Sequence, residues 1–217
     1  MKKIIFFLLA SCSLQLAAFS QSAKFTESMR SNLSLFDSAK TADDFVSLAN
    51  NFERIGDAEK TQWTPYYYSG LALSTAGWMP TVTDKDANSL RMNGLLDKAE
   101  ANAGNDSAAL SEIEGVRYMS ATQQMQVDPQ NRWMSYGKKA GEALQKGMSL
   151  NPSNPRIYYL QGMNLFFTPA QFGGGKDKAK VAFQKAVDLF KTDHPKSLYP
   201  IWGEKESEQM IIQCDKK

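Results

Sequence analysis

The sequence predicts an all-α protein in which helical hairpins stack side by side into a short solenoid. Apolar residues recur at helical spacing; Ala179, Phe183 and Ala186, for example, share one helix face. The period-two alternation that is typical of strands is hard to find in the 217 residues. The segments "TPYYYSGLALSTAG" (64–77) and "PRIYYLQGMNLFF" (155–167) share a tyrosine pair, a glycine and an apolar run, which indicates a repeated unit.

The first 21 residues are predicted to be an export signal. Lys2 and Lys3 give a positive start, 4–10 form an apolar core, and 18–20 (Ala-Phe-Ser) match the small-x-small cleavage pattern. The mature chain is therefore expected to begin near Gln21, in the periplasm or outside the cell.

The same segment has two other interpretations. Leu-Ala-Ser-Cys (9–12) resembles a bacterial lipobox, in which Cys12 would be lipidated and would hold the protein at a membrane. A retained membrane helix is disfavoured, because Ser11, Ser13 and Gln15 interrupt a run that is already close to the shortest spanning length.

Charge and cysteine content exclude several classes of function. Removal of residues 1–21 takes away two lysines and no acidic residue, which leaves 23 basic and 23 acidic side chains. A neutral chain has no electrostatic reason to bind nucleic acid or an anionic membrane. The mature chain would keep only Cys214, so it forms no intramolecular disulfide and must be stabilised by packing.

Three regions follow the signal. Residues 22–62 are predicted to form an N-terminal helix pair, whose second helix begins with the capping residues 41–44. Residues 63–195 contain three degenerate hairpin units. Residues 196–217 contain a capping helix, which is anchored by Trp202 and covers the apolar end of the stack.

The spacing within the units resembles the tetratricopeptide repeat, a helix-turn-helix unit of about 34 residues. The best match is the unbroken series Ala140, Leu144, Gly147, Pro152, Tyr158, Gly162 and Leu165. Elsewhere extra residues in the turns degrade the pattern. The chain also resembles exported, uncharacterised repeat proteins of Bacteroidetes-type bacteria. The resemblance implies a right-handed solenoid whose first helices line a concave groove.

By that register, seven side chains are expected to face the groove: Tyr67, Leu71, Glu112, Val116, Arg156, Tyr159 and Met163. Tyrosine and arginine are the residue types that interfaces favour. The leading hypothesis is therefore a non-enzymatic adaptor that binds a protein or peptide partner in this groove.

A glycine-rich turn, "QFGGGKDKAK" (171–180), suggests an alternative. A Walker-type phosphate loop is excluded, because Ala170 stands at the position of the first glycine and Asp177 replaces the hydroxyl residue. The favoured interpretation is a wide turn. A small-molecule or anion-binding site formed by Gly173, Gly174, Gly175 and Lys176 at a helix N-terminus is the second hypothesis.

No catalytic or metal-binding set is marked in the sequence. His194 is the single histidine and precedes a proline, and Cys214 lies near the end without a second thiol. No enzyme activity, cofactor or metal is predicted. A hydrolase that takes two carboxylates from distant helices stays open as a third alternative.

Overall fold

The structure, a computed structural model, describes residues 23–216. The predicted signal peptide and Cys12 lie outside these residues. The described chain is helical and contains no strand, which confirms the all-α fold class. Its helices are α1 (23–36), α2 (Ala42–Glu59), α3 (Thr64–Gly77), α4 (Lys85–Ala103), α5 (Ser107–Val127), α6 (Pro129–Arg132), α7 (Lys138–Leu150), α8 (Pro155–Phe167), α9 (Lys176–Phe190) and α10 (Glu204–Asp215). A π-helical turn, Trp133–Gly137, joins α6 to α7, and a 3-10 turn, Ala170–Phe172, precedes α9. None of these described helices is both long and apolar enough to cross a bilayer.

Side-chain caps explain why several helices begin where they do. Thr41 and Asp44 form a reciprocal capping box at the start of α2, as the sequence predicts. Asp106 accepts hydrogen bonds from the first backbone N–H groups of α5, and Asn154 caps α8 ahead of Pro155. Each cap satisfies N–H groups that have no partner inside the helix.

The helices pack as consecutive pairs, α3 with α4, α5 with α7, and α8 with α9. Gln123, near the end of α5, donates a 2.7 Å hydrogen bond to the Ser74 carbonyl near the end of α3. Arg156, at the start of α8, pairs with Glu112 near the start of α5. The first helices α3, α5 and α8 therefore run in the same direction, and their partners run back.

Small residues allow the paired helices to approach closely. A Cβ atom at Gly162 would lie 2.5 Å from the Phe183 ring, and one at Gly147 would lie 2.6 Å from Ile157. Ala186 is fully buried. The spacer role that the sequence predicts for glycine and alanine is thus present in the packing. The handedness of the stack stays a prediction.

The residues between α9 and α10 cross the stack at the starts of its first helices. We name residues 195–203 the C-terminal strap. The Tyr199 hydroxyl donates to the Asp106 carboxylate at 2.8 Å, and the Trp202 indole N–H donates to the Tyr67 hydroxyl at 2.8 Å. The Trp63 ring packs edge-on against Tyr199, with centroids 5.0 Å apart. The strap therefore connects the first unit to the last.

Candidate functional site

The concave groove predicted from the sequence is filled by the C-terminal strap. The structure buries five of the seven expected groove residues: Tyr67, Leu71, Glu112, Val116 and Arg156. Tyr159 and Met163 are partly exposed. All seven were expected on an exposed face, and this expectation is wrong for the five buried residues. The reason is that Tyr199 and Trp202 pack against that face.

The buried charges below the strap form a network. The Arg156 guanidinium donates to the Glu112 carboxylate at 2.8 Å and to the Asp193 carboxylate at 2.7 Å. Burial raises the pKa of Glu112, and the charge of Arg156 opposes this shift. The network joins α5, α8 and the segment that leads into the strap. Because this network lies in the interior, it contributes to the packing of these elements.

The tyrosine hydroxyls of this region stay neutral. Burial raises the pKa of Tyr67 well above its usual value and raises the pKa of Tyr159 to about 12. Neutral phenols donate and accept hydrogen bonds, and the Tyr67 oxygen accepts one from Trp202. In this structure Tyr67 and Tyr159 therefore contribute to the packing of this face.

The glycine-rich turn uses its backbone N–H groups internally. Those of Gly173, Gly174 and Gly175 donate to the carbonyl groups of Ala170, Pro169 and Leu165 respectively, at 2.9–3.2 Å. Gly173 and Gly175 have φ values of 91° and 108°, which side chains rarely adopt. The Lys176 ammonium donates to the Lys216 carbonyl. Only the first N–H groups of α9 are left for an anion, so the geometry is that of a wide turn.

His194 and Cys214 do not form a reactive site in the described structure. His194 is exposed, and burial raises the pKa of the Cys214 thiol, which disfavours the thiolate. Residues 23–216 contain no group of three metal-ligating side chains.

Exposed apolar side chains concentrate on the edge of the stack opposite the strap. This turn edge comprises the ends of α3, α5 and α8 and the starts of α4, α7 and α9. Eight of the eleven exposed large apolar residues in the described chain lie there, with exposures of 45–74%. They are Trp78, Leu90, Val127, Trp133, Met134, Phe167, Phe172 and Val181. Such a concentration is typical of an interaction site rather than of scattered surface residues.

The π-helical turn forms the centre of this edge. None of its residues is buried, and Trp133 and Met134 are more than half exposed. A bidentate ion pair fixes it in place, because the Arg132 guanidinium donates to both Asp86 oxygens at 2.7 and 2.9 Å. This bond lowers the pKa of Asp86, so the pair stays charged. The pair holds the start of α4 beside the π turn, with Leu90 one helical turn beyond Asp86 on the same face.

Cations surround the aromatic rings of the turn edge. The Lys139 ammonium lies 4.9 Å from the centre of the Tyr136 ring, and the Arg132 guanidinium lies 5.6 Å from the same ring. The Lys85 ammonium lies 5.8 Å from the Trp78 ring centre. An apolar surface with positive groups around it suits a largely apolar molecule that carries negative groups.

A second concave feature lies between α1 and α2. This cleft of about 790 Å³ is lined by Lys24, Phe25, Glu27, Ser28, Ser31, Asn32, Asn51, Arg54, Ile55, Ala58 and Glu59. Its volume is within the range of ligand pockets, about 300–1,000 Å³. Three of the lining residues, Phe25, Ile55 and Ala58, are apolar, and the two basic and two acidic residues balance. The cleft therefore has no net charge that would favour an anionic ligand.

Sequence reasoning missed the turn edge. The sequence predicts a long turn in the second unit without singling out Trp133–Gly137, and no helical period predicts that large apolar residues there are exposed. The available signal was the run "RWMSYGKK" (132–139), in which aromatic residues, a methionine and cations occur in a segment interpreted as a turn.

The fold is that of a helical protein built from packed helix pairs. No family model matches the sequence, and no curated protein matches it. Among solved structures, the HusA haemophore from Porphyromonas gingivalis is similar: it is 33% identical with a TM-score of 0.79, and the match covers 88% of this chain and 92% of that chain. The chain belongs to the family of this haemophore.

Family membership agrees with the coarse predictions from the sequence. The relative comes from a Bacteroidetes organism, is helical and is named as a haemophore, which is a binding protein rather than an enzyme. The narrower prediction of a tetratricopeptide repeat stays a prediction.

Proposed function

We propose that this protein is an exported, non-enzymatic carrier of haem or a related porphyrin, which it holds at the turn edge. The observation that carries the proposal is the pair of exposed apolar side chains, Trp133 and Met134, on a π turn ringed by cations. The similarity to a haemophore supports the choice of ligand. A porphyrin is flat and apolar over both faces, and haem has carboxylates on one side.

Hydrophobic burial can supply the affinity. Covering one large apolar side chain contributes about 1.5–3 kcal/mol, so two such contacts change the dissociation constant by more than tenfold. Trp78 and Leu90 lie beside the π turn and would extend the contact. The cleft between α1 and α2 offers fewer large apolar side chains, and because Lys24 and Arg54 are balanced by Glu27 and Glu59 it has no net attraction for negatively charged ligand groups.

Titration of haem and of a metal-free porphyrin, followed by Soret absorbance, tests the proposal. The variant Trp133→Ala/Met134→Ala should weaken both ligands at least tenfold. Ile201→Ala is the control, because this residue is 80% exposed but lies in the C-terminal strap, away from the turn edge. Ser31→Trp fills the rival cleft and should change nothing. Loss of binding in Ser31→Trp alone would assign the ligand to the cleft.

The narrower prediction of peptide binding remains a second candidate function. The observation that favours it is that an aromatic segment of the chain already packs on the face where the groove is predicted, through Tyr199 and Trp202. A partner peptide would have to displace the strap. The variant Trp202→Ala should therefore bind a synthetic peptide of sequence 195–203, as measured by anisotropy. Wild type should not bind this peptide, and Trp202→Ala should not bind a scrambled version of it. Equal binding to both proteins would contradict a groove that the strap closes.

We also propose that the chain is exported and that its mature form begins near Gln21. Intact-mass analysis of the protein from its native envelope distinguishes this from lipidation at Cys12. A mass that includes residues 12–20 together with acyl chains would establish the anchored alternative.

A further inference from the structure

We propose that the turn-edge site selects ligands that bear carboxylates, and that the ammonium groups of Lys85 and Lys139 bind them. This inference rests on the proposed function and defines the class of porphyrin that the site accepts.

The acidic groups near the turn edge already have hydrogen-bond partners inside the protein. Asp84 accepts from the Ala87 N–H at 2.8 Å, Asp86 is held by Arg132, and Asp128 accepts from the Asn131 side chain at 2.7 Å. None of the three forms an ion pair with Lys85 or Lys139; the one ion pair among them joins Asp86 to Arg132.

The two lysines, in contrast, have no acidic partner among residues 23–216. Other lysines of the described chain do form ion pairs, such as Lys146 with Glu114 at 2.8 Å and Lys180 with Asp215 at 2.6 Å. Lys85 donates to the Gly77 carbonyl, which uses one of its three N–H groups. Lys139 stands against the Tyr136 ring. Both ammonium groups therefore keep donors for an incoming anion.

Both lysines belong to one connected group of side chains around the π turn. Lys85 lies over Trp78 and directly precedes Asp86, which holds Arg132. Lys139 shares the Tyr136 ring with Arg132. The lysines thus reach this group from α4 and from α7. A macrocycle on the apolar surface would place carboxylates at its rim within their reach, and charge-assisted hydrogen bonds of this kind are the stronger ones.

The test compares two forms of one macrocycle. Mesoporphyrin carries two carboxylates, and its dimethyl ester carries none; both are titrated in the same buffer containing dimethyl sulfoxide. Wild type should bind the dicarboxylate at least tenfold more tightly than the ester. Lys85→Met/Lys139→Met should remove this preference by weakening the dicarboxylate about tenfold while leaving the ester unchanged. Lys205→Met, an exposed lysine on α10, is the control and should behave like wild type.

The outcomes separate the two proposals. Equal wild-type affinity for the two forms, or an equal effect of the lysine substitutions on both, overturns carboxylate selection and leaves porphyrin binding in place. No binding of either form by wild type overturns the proposed function, and this inference with it. Raised ionic strength should weaken only the dicarboxylate, because exposed charge pairs are screened.

Discussion

Replacement of Arg156 by methionine should destabilise the folded protein more than any change to a surface ion pair. Arg156 is 4% exposed, and its guanidinium contacts the Glu112 and Asp193 carboxylates. The Arg156→Met variant keeps much of the side-chain volume but leaves the Glu112 carboxylate buried without a cation. Asp193 is more exposed and can be hydrated.

The magnitude follows from this burial. Removal of one partner of a buried pair costs about 3–5 kcal/mol, because the other charge stays in the interior. Removal of an exposed partner costs about 0–1 kcal/mol. Lys138 and Glu142 form such an exposed pair at 3.7 Å, so Lys138→Met is the matched control. The double variant Arg156→Met/Glu112→Gln removes both charges, and its cost should fall to about 1–2 kcal/mol, the penalty for imperfectly bonded polar groups.

The loss should depend on pH in a direction fixed by Glu112. Burial already raises its pKa above 4.5, and Arg156 opposes the shift, so loss of Arg156 raises the pKa further. A raised pKa in the folded state costs nothing while the carboxyl is protonated in both states. The penalty grows as pH rises from the unfolded-state pKa to the folded-state pKa, and then it stays constant.

Urea unfolding followed by circular dichroism measures these free energies at pH 4, 5, 6 and 7. The deficit of Arg156→Met relative to wild type should be largest at pH 7 and should shrink at pH 4. A deficit no larger than that of Lys138→Met, or one that does not change with pH, would refute the assignment of Glu112 as a buried charge.

Four further substitutions test packing and helix capping, each by its free energy of unfolding in urea. Gly162→Ala would place a Cβ atom 2.5 Å from Phe183 and should cost about 1–3 kcal/mol. Gly94→Ala is its control: Gly94 has open space around it, so the substitution should stabilise α4 by about 0.5–1 kcal/mol. Equal effects of the two substitutions would contradict the spacer role of Gly162. Thr41→Ala removes the capping box of α2 and should cost about 0.5–2 kcal/mol, and no change would show that the box contributes nothing. Leu96→Ala, at a fully buried position, should cost about 2–5 kcal/mol, and a smaller loss would mean that the first pair is loosely packed.

Those features of the fold that depend on local pattern could be predicted from the sequence. The apolar stripe of α9, the capping box at Thr41 and the spacer residues Gly162 and Ala186 all lie as their spacing predicts. Helical periodicity determines which face of a helix is apolar, and this information is contained in neighbouring residues.

Features that depend on long-range contacts could not be predicted in this way. Tyr199 and Asp106 are 93 residues apart in the sequence, and Trp202 and Tyr67 are 135 residues apart. No local sequence pattern predicts either hydrogen bond. The sequence analysis therefore placed Tyr67 and Arg156 on an open groove. The exposure of Trp133 was missed for the related reason that periodicity assigns apolar residues to the interior, and only the structure shows which of them have no packing partner.

The two edges of the stack differ in a way that bears on function. At the edge where the first helices start, the protein supplies its own aromatic segment, so Trp63, Tyr67 and Tyr159 are covered from within. At the turn edge, large apolar residues stay exposed even though burying them would stabilise the folded chain. An exposed apolar surface of this kind is a liability for solubility unless a ligand covers it. Mass action then requires that the ligand of this edge stabilise the folded protein, so saturation with that ligand should raise the melting temperature of wild type and leave that of Trp133→Ala/Met134→Ala nearly unchanged.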